Sequence, residues 1–289
     1  MAGMASSRSE TVDLACGDVA GLVQALASPA ERVTVNLNSD HVAGCTYTFA
    51  APYAPGAAQA LPPVGPNEIT GTTQVRVTIN GNGSTLARSS SSTDPFSLLA
   101  TNPGAVLDAQ DLTLTGGDVF ASASAQQTAG AGGLNNGGVA TLRRCTVSGN
   151  VLSAGPRNPG SGGGIDNGGT LTLIDSTVSG NRISASTFGP PVDADGGGIY
   201  SAGGSVTVID STISDNSVSA YPTMAFGGGI DVTQGTLLLR GSTVTGNSAL
   251  ADGGGIEASI AAAVAVSTRF SGNTPDNCGP RHLVVGCHG

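Results

Sequence analysis

The residues best placed to do chemistry are carboxylates recurring at one point of a repeat. Five glycine-led motifs begin at Gly132, Gly162, Gly196, Gly227 and Gly253. Each leads to one apolar residue, Leu134, Ile165, Ile199, Ile230 or Ile256, and then to Asn135, Asp166, Tyr200, Asp231 or Glu257. If the apolar residue points inward, its successor points outward, and successive copies stand in one column. Asp231 and Glu257 then lie on adjacent turns, roughly 5 Å apart. That separation allows a shared proton or a raised pKa, as general acid–base catalysis needs, and it is near that of the carboxyl pair in retaining glycosidases. Asp166, Tyr200, Asp231 and Glu257 are the catalytic candidates. The alternative for the same column is a solvated acidic ribbon.

The segments between repeats, 151–161, 182–195, 217–226 and 248–252, differ most in length and hold the rarer residue types. Insertions at one corner of a solenoid project from one face, which is often the binding face. Arg182, Phe188, Asp195, Tyr221 and Phe226 are the substrate-binding candidates, and with Met224 the aromatics can instead close an apolar pocket. Asp193-Ala194-Asp195-Gly196 offers calcium two carboxylates and a glycine turn but not the rest of an EF-hand ligand pattern, so no metal site is assigned. No nucleophile elbow, phosphate-cradling glycine motif or zinc spacing appears. His41, His282 and His288 lie outside the repeats, which leaves Cys145 without a base.

The elements that must position these residues follow from the period. Each repeat ends at Asn150, Asn181, Asn216, Asn247 or Asn273, in steps of 31, 35, 31 and 26 residues, and the apolar anchors step by 31, 34, 31 and 26. A period of this size means a solenoid, a propeller or an array. Within it, Thr170-Leu171-Thr172-Leu173 and Thr177-Val178-Ser179 alternate with period two, as strands do, and their counterparts repeat the pattern. Short strands with glycine corners predict an all-β parallel β-helix of about eight turns. Leu171, Leu173 and Val178 should stack on Val206, Val208 and Ile213, and these on Leu237, Leu239 and Val244. Each corner Asn can bond to the Asn above and below, and it tolerates left-handed backbone.

These residues carry a resemblance. Repeats of the form Gly-Gly-Gly-Ile … Ser-Thr-Val-Ser-Gly-Asn, over about residues 130–275, resemble those of the polymorphic outer-membrane-protein-like family within the pectin-lyase-like β-helix superfamily. The resemblance implies a right-handed coil and an extracellular or surface setting. It implies no single activity, since the family includes adhesins. β-Helix pectate lyases pair calcium with an Arg or Lys base; lysine is absent from the repeats, and Arg182 and Arg240 are the only arginines near the acidic column, while the Asp pairs and Gly-His of polygalacturonases are not found.

The chain divides into a polar N-terminus (1–10), an N-terminal cap with irregular turns (11–130), regular repeats (131–275) and a C-terminal tail (276–289). Asp18 can cap a short helix through about Ser28, with Val19, Leu22, Val23 and Leu26 on one face to plug the coil. Pro52 to Pro66 reads as a surface loop. Of the five cysteines, Cys16 and Cys45 bracket the first cap and Cys278 and Cys287 the tail. Pairing within each bracket staples both ends and implies an oxidising compartment. No stretch is long and apolar enough to span a membrane. A net charge of −9, no basic patch and 3% aromatic residues argue against nucleic acid as a partner.

A secreted monomer is expected, its signal peptide removed. It would bind or cleave an extracellular polysaccharide at the loop face, as a polysaccharide lyase or glycoside hydrolase if it is an enzyme. The alternatives are a non-catalytic adhesin or structural surface module, which needs no cofactor, and an enzyme with a small-molecule pocket under the loops.

Overall fold

Alternating side chains make the strands, and register between turns makes the core. In Thr170–Ile174, Leu171 and Leu173 are buried while Thr170, Thr172 and Ile174 are not. Leu171 pairs in register with Val206, and Val206 with Leu237; Leu173, Val208 and Leu239 form the next column, and Val178, Ile213 and Val244 a third. All nine are at most 1% exposed. Like side chains therefore stack along the axis as the period requires. The computed structural model describes every residue except 1–7, 68–71, 122–129, 155–159, 187–193, 222–223, 281–282 and 288–289.

Three parallel ladders form the sides of the coil. The longest runs from Ser9–Asp13 through Arg32–Asn36, Arg76–Arg88, Val106–Thr115, Val139–Arg143, Thr170–Ile174, Ile199–Ile209, Ile230–Arg240 and Ile256–Val266 to Val284–Val285. Its end strands belong to partial turns at the two termini. A second ladder contains Thr146–Ser148, Thr177–Ser179, Thr212–Ser214, Thr243–Thr245 and Arg269–Ser271. The third carries the candidate catalytic column and begins at Leu99–Thr101.

The corner asparagines form one buried chain. The side-chain oxygen of Asn181 accepts from both the backbone N–H of Asn150 (3.0 Å) and its Nδ2 (2.9 Å). The same pair of bonds recurs from Asn181 to Asn216, from Asn216 to Asn247 and from Asn247 to Asn273. The left-handed backbone expected at these asparagines lies one residue earlier, at Gly149, Gly180, Asp215, Gly246 and Gly272 (φ +55° to +67°). That corrects the role assigned to Asn: its side chain replaces the missing ladder bonds, and its neighbour makes the bend.

Both ends are closed as their residues suggest. The helix Val19–Leu26 begins at Asp18, whose side chain accepts from the Gly21 N–H at 2.8 Å, and it buries Leu22, Ala25 and Leu26. Cys16 is bonded to Cys45 and Cys278 to Cys287. Beneath the first staple, the Tyr47 hydroxyl accepts from Asn38 N–H (2.9 Å) and donates to Ala15 O (2.8 Å).

Two segments read as loops are not simple loops. Between Pro52 and Pro66, Ala60, Leu61 and Val64 are buried, and the N–H groups of Ala60 and Val64 donate to Ser97 O and Ala100 O. The inter-repeat insertions form ladders of their own: Val151–Ala154, Arg182–Ser186 and Ser217–Tyr221 in one, which Asp118–Ala121 from the preceding irregular turn extends, and Gly160–Ser161, Ala194–Asp195 and Ala225–Phe226 in another. Leu152, Ala154, Ile183, Ala194, Val218 and Ala225 make a second small core between them. The reason is local alternation: an apolar residue, Ser and Ala follow one another at 152–154, 183–185 and 218–220.

Candidate functional site

The third ladder sets Asn135, Asp166, Tyr200, Asp231, Glu257 and Gly279 in register on consecutive rungs. The column predicted from spacing therefore exists. Each insertion returns to it through a tight glycine turn: Gly196 has φ +74°, and a Cβ there would stand 2.4 Å from the Ile199 carbonyl oxygen. A second column, Ser161, Asp195, Phe226 and Asp252, runs beside the first on the insertion layer.

The insertion layer changes the chemistry of the column. Asp231 is 1% exposed and Glu257 5%. Neither belongs to an ion pair among the described residues, and one carboxyl oxygen of each is buried without a hydrogen-bond partner. Burial, with Asp195 and Glu257 adding like charge, holds the Asp231 carboxyl well above its ordinary pKa. Burial, with Asp252 and Asp276 nearby, pushes Glu257 up to about 7. Asp276 is raised by burial and by a hydrogen bond with Asp252. Tyr200 is half-buried, and its phenol is raised by burial against a hydrogen bond with Thr233. This is a buried seam of acids whose pKa values are raised, between coil and insertion layer, in place of the solvated ribbon weighed from the sequence.

Asp166 is placed differently. It lines a cavity of about 230 Å³ together with Gln59, Ser97 and Asn135, and Ala58 and Val119 supply apolar wall. Burial alone pushes its carboxyl up to about 7. Asn135 donates through Nδ2 to Ser97 Oγ (3.0 Å) and to Ala131 O (3.2 Å), which leaves its Oδ1 buried without a partner. Gly130 closes the floor: a Cβ there would stand 1.8 Å from Asn135 Oδ1 and 3.3 Å from Asp166 Oδ2. Nothing in the local sequence marked Gln59 and Ser97, which reach Asp166 only through the stacking of turns, although Asn135 was legible as a member of the column.

The other candidates are scattered. Arg182 is exposed and its guanidinium reaches Ser219 Oγ. Asp195 and Phe226 are neighbours in the insertion ladder, and Asp195 raises the pKa of Tyr200 and Asp231. Tyr221 ends the strand Ser217–Tyr221. Phe188 and Asp193 lie outside the described residues. Met224 is 62% exposed, so it does not line an apolar pocket. Cys145 is buried in register with Ser176, its backbone N–H donating to Ser176 Oγ, and burial pushes its thiol up to about 11. Among the described residues, no three His, Cys, Asp or Glu side chains are arranged to hold a metal ion.

Searches of curated proteins and of solved structures found no match. A family model described as a right-handed β-helix region matches residues 70–278, most of the chain. With its in-register parallel ladders and stacked core, the chain belongs to the right-handed β-helix family.

Proposed function

We propose that this protein is a secreted binding module for an extracellular glycan, and that the cavity at Asp166 receives the end of a sugar chain. The observation that carries the reading is the composition of that cavity: a carboxyl, two amides and a hydroxyl around a small apolar wall. Vicinal sugar hydroxyls are recognised by such convergent groups. The volume is below the about 300–1,000 Å³ of drug-sized sites, which suits a single terminal sugar. Two disulfides favour an oxidising, extracellular setting. The repeat resemblance to polymorphic outer-membrane-protein-like proteins favours a surface role, and no helix among the described residues is long and apolar enough to cross a membrane.

Binding is favoured over cleavage. Glycoside hydrolysis uses two carboxyl groups flanking one bond. Asp166 is the only acid among the described residues lining the cavity, while Asp231 and Glu257 are closed off under the insertion layer. A lyase or hydrolase acting across Asp166, Tyr200, Asp231 and Glu257 would need that layer to open.

Titration calorimetry against a panel of neutral, amino and acidic oligosaccharides tests the reading. Asp166→Ala should weaken binding at least about tenfold, the value of one lost charge-assisted hydrogen bond. Asp231→Asn should leave binding unchanged. If the folded protein binds no sugar but adheres to surfaces, it is an adhesin or structural module.

A further inference from the structure

A second cavity lies beside the one at Asp166. It measures about 420 Å³ and is lined by residues 51–57 with Asp94 and Pro95. The Asp166 cavity draws on the next residues of the same two stretches, Ala58, Gln59 and Ser97. Backbone hydrogen bonds tie the stretches together. The Tyr53 N–H donates to Gln59 O at 3.1 Å, the Ser97 N–H to Ala58 O at 2.9 Å and the Ala60 N–H to Ser97 O at 2.7 Å. Phe96, between the lining residues Pro95 and Ser97, is fully buried and anchors the wall they share.

The walls of this second cavity are of another kind. Tyr53, Pro52, Pro55 and Pro95 give it apolar faces, and Asp94 is the one charged side chain in its lining. Proline rings fix their own backbone, so such walls lose little freedom when a ligand enters. Arg88 holds the rim. Its Nη2 donates to Ser92 O and Asp94 O at 2.9 Å each, its Nε donates to Asp94 O at 3.1 Å, and its guanidinium lies 5.3 Å from the centre of the Phe96 ring. Among the described residues the Asp94 carboxyl is in no ion pair.

An aromatic ring beside a carboxylate offers an apolar plane and a hydrogen-bond acceptor. A pyranose presents C–H groups on its face and hydroxyls at its edge, so one sugar unit meets both. The volume falls within the about 300–1,000 Å³ of small-ligand sites. Resting on the glycan reading above, we infer that this cavity is a second sugar subsite: the unit next to the one at Asp166 stacks on Tyr53 and donates a hydroxyl to Asp94. The lining also selects by charge. Each cavity carries one carboxyl, and neither has a basic side chain among its described lining residues. A uronic acid or sulfated unit would meet like charge with no cation to offset it. The ligand class is therefore a neutral glycan of at least two units.

The test measures, by calorimetry, the affinity gained when a second sugar is added to the first. The probes are the monosaccharide, disaccharide and tetrasaccharide of the β-1,4-linked glucose, mannose and N-acetylglucosamine series, with tetragalacturonate as the acidic chain. In a series that binds, the disaccharide should bind about tenfold more tightly than the monosaccharide. Tyr53→Ala should remove that gain, and Tyr53→Phe, which keeps the ring, should retain it. Asp94→Ala, at an exposed position, should reduce the gain about threefold or more, so the conclusion does not depend on one variant folding. The gain is a ratio within one variant, so partial unfolding does not mimic its loss. Tetragalacturonate should bind at least about tenfold more weakly than the neutral tetrasaccharide. Sugar binding with no gain from the second unit, or with a gain that survives Tyr53→Ala, would overturn the second subsite and leave the glycan reading standing. Tighter binding of tetragalacturonate would overturn the neutral ligand class. Failure of every sugar to bind would overturn the glycan reading and the subsite with it.

Discussion

At the residue scale, the corner asparagines and the column acids use the same coil for opposite purposes. Asn181 is fully buried, and every polar atom of its side chain is occupied: Oδ1 accepts twice from Asn150, and Nδ2 donates to Val147 O and Asn216 Oδ1. Asn181→Ala leaves buried donors on Asn150 without acceptors, and each such loss costs about 1–3 kcal/mol. Urea unfolding should show a destabilisation of about 2–5 kcal/mol for Asn181→Ala. For Asn273→Ala it should be smaller, because Asn273 is on the last corner and 9% exposed. Asp231 and Glu257 are instead each left with one buried oxygen unmatched beneath the insertion layer that covers them.

At the scale of elements, the insertion layer and the coil meet through the glycine turns and the acid seam. Gly197 lies against the next turn, where a Cβ would stand 2.4 Å from the Gly228 carbonyl oxygen. Gly197→Ala must therefore separate two rungs, and amide exchange should quicken in Ala194–Asp195 and Ala225–Phe226 more than in the coil strands. The seam also sets a direction of pH dependence. Asp166 and Glu257 titrate near 7 in the folded protein and Asp231 is raised well above its ordinary value, while unfolded carboxyls titrate at about 4. Between these limits the folded state binds more protons than the unfolded one, so stability falls as the pH rises. The thermal midpoint should drop from about pH 4 to about pH 7. Asp231→Asn should flatten that decline and raise the midpoint at pH 8 by about 3 °C or more. A midpoint that rises over this interval would refute the picture of a seam whose carboxyl pKa values are raised by folding.

For the whole molecule, stability is that of a stack whose ends are its weak points. Each turn leans on its neighbours, so fraying starts where one neighbour is missing. The helix Val19–Leu26 covers the first cross-section, and the two disulfides join residues 29 and 9 positions apart at the two ends. The longer closed loop should stabilise more, because it removes more freedom from the unfolded chain. Cys45→Ser should lower stability by about 2–4 kcal/mol and loosen Ser9–Asp13 and Arg32–Asn36 first, with Cys287→Ser having a smaller effect. Hydrogen exchange localises the loosening. The repeats from Leu134 to Asn247 should keep their protection in both variants.

By itself the sequence determined the coil, its register and the alignment of the acids in one column. These are consequences of translation: a segment such as Thr170-Leu171-Thr172-Leu173 that recurs at a nearly constant step must stack on its own copy, and the step then names every neighbour. The insertions were half legible, since Ile183-Ser184-Ala185 alternates as strands do, but runs this short carry little signal against variable lengths. Only the tertiary structure decided whether the column meets water. Whether Asp231 faces solvent depends on what folds over it, and the cavity at Asp166 needs Gln59, Ser97 and Asn135 brought together from three turns. Solvation and charge pairing depend on the surroundings of a group, and those surroundings come from segments far apart in the chain.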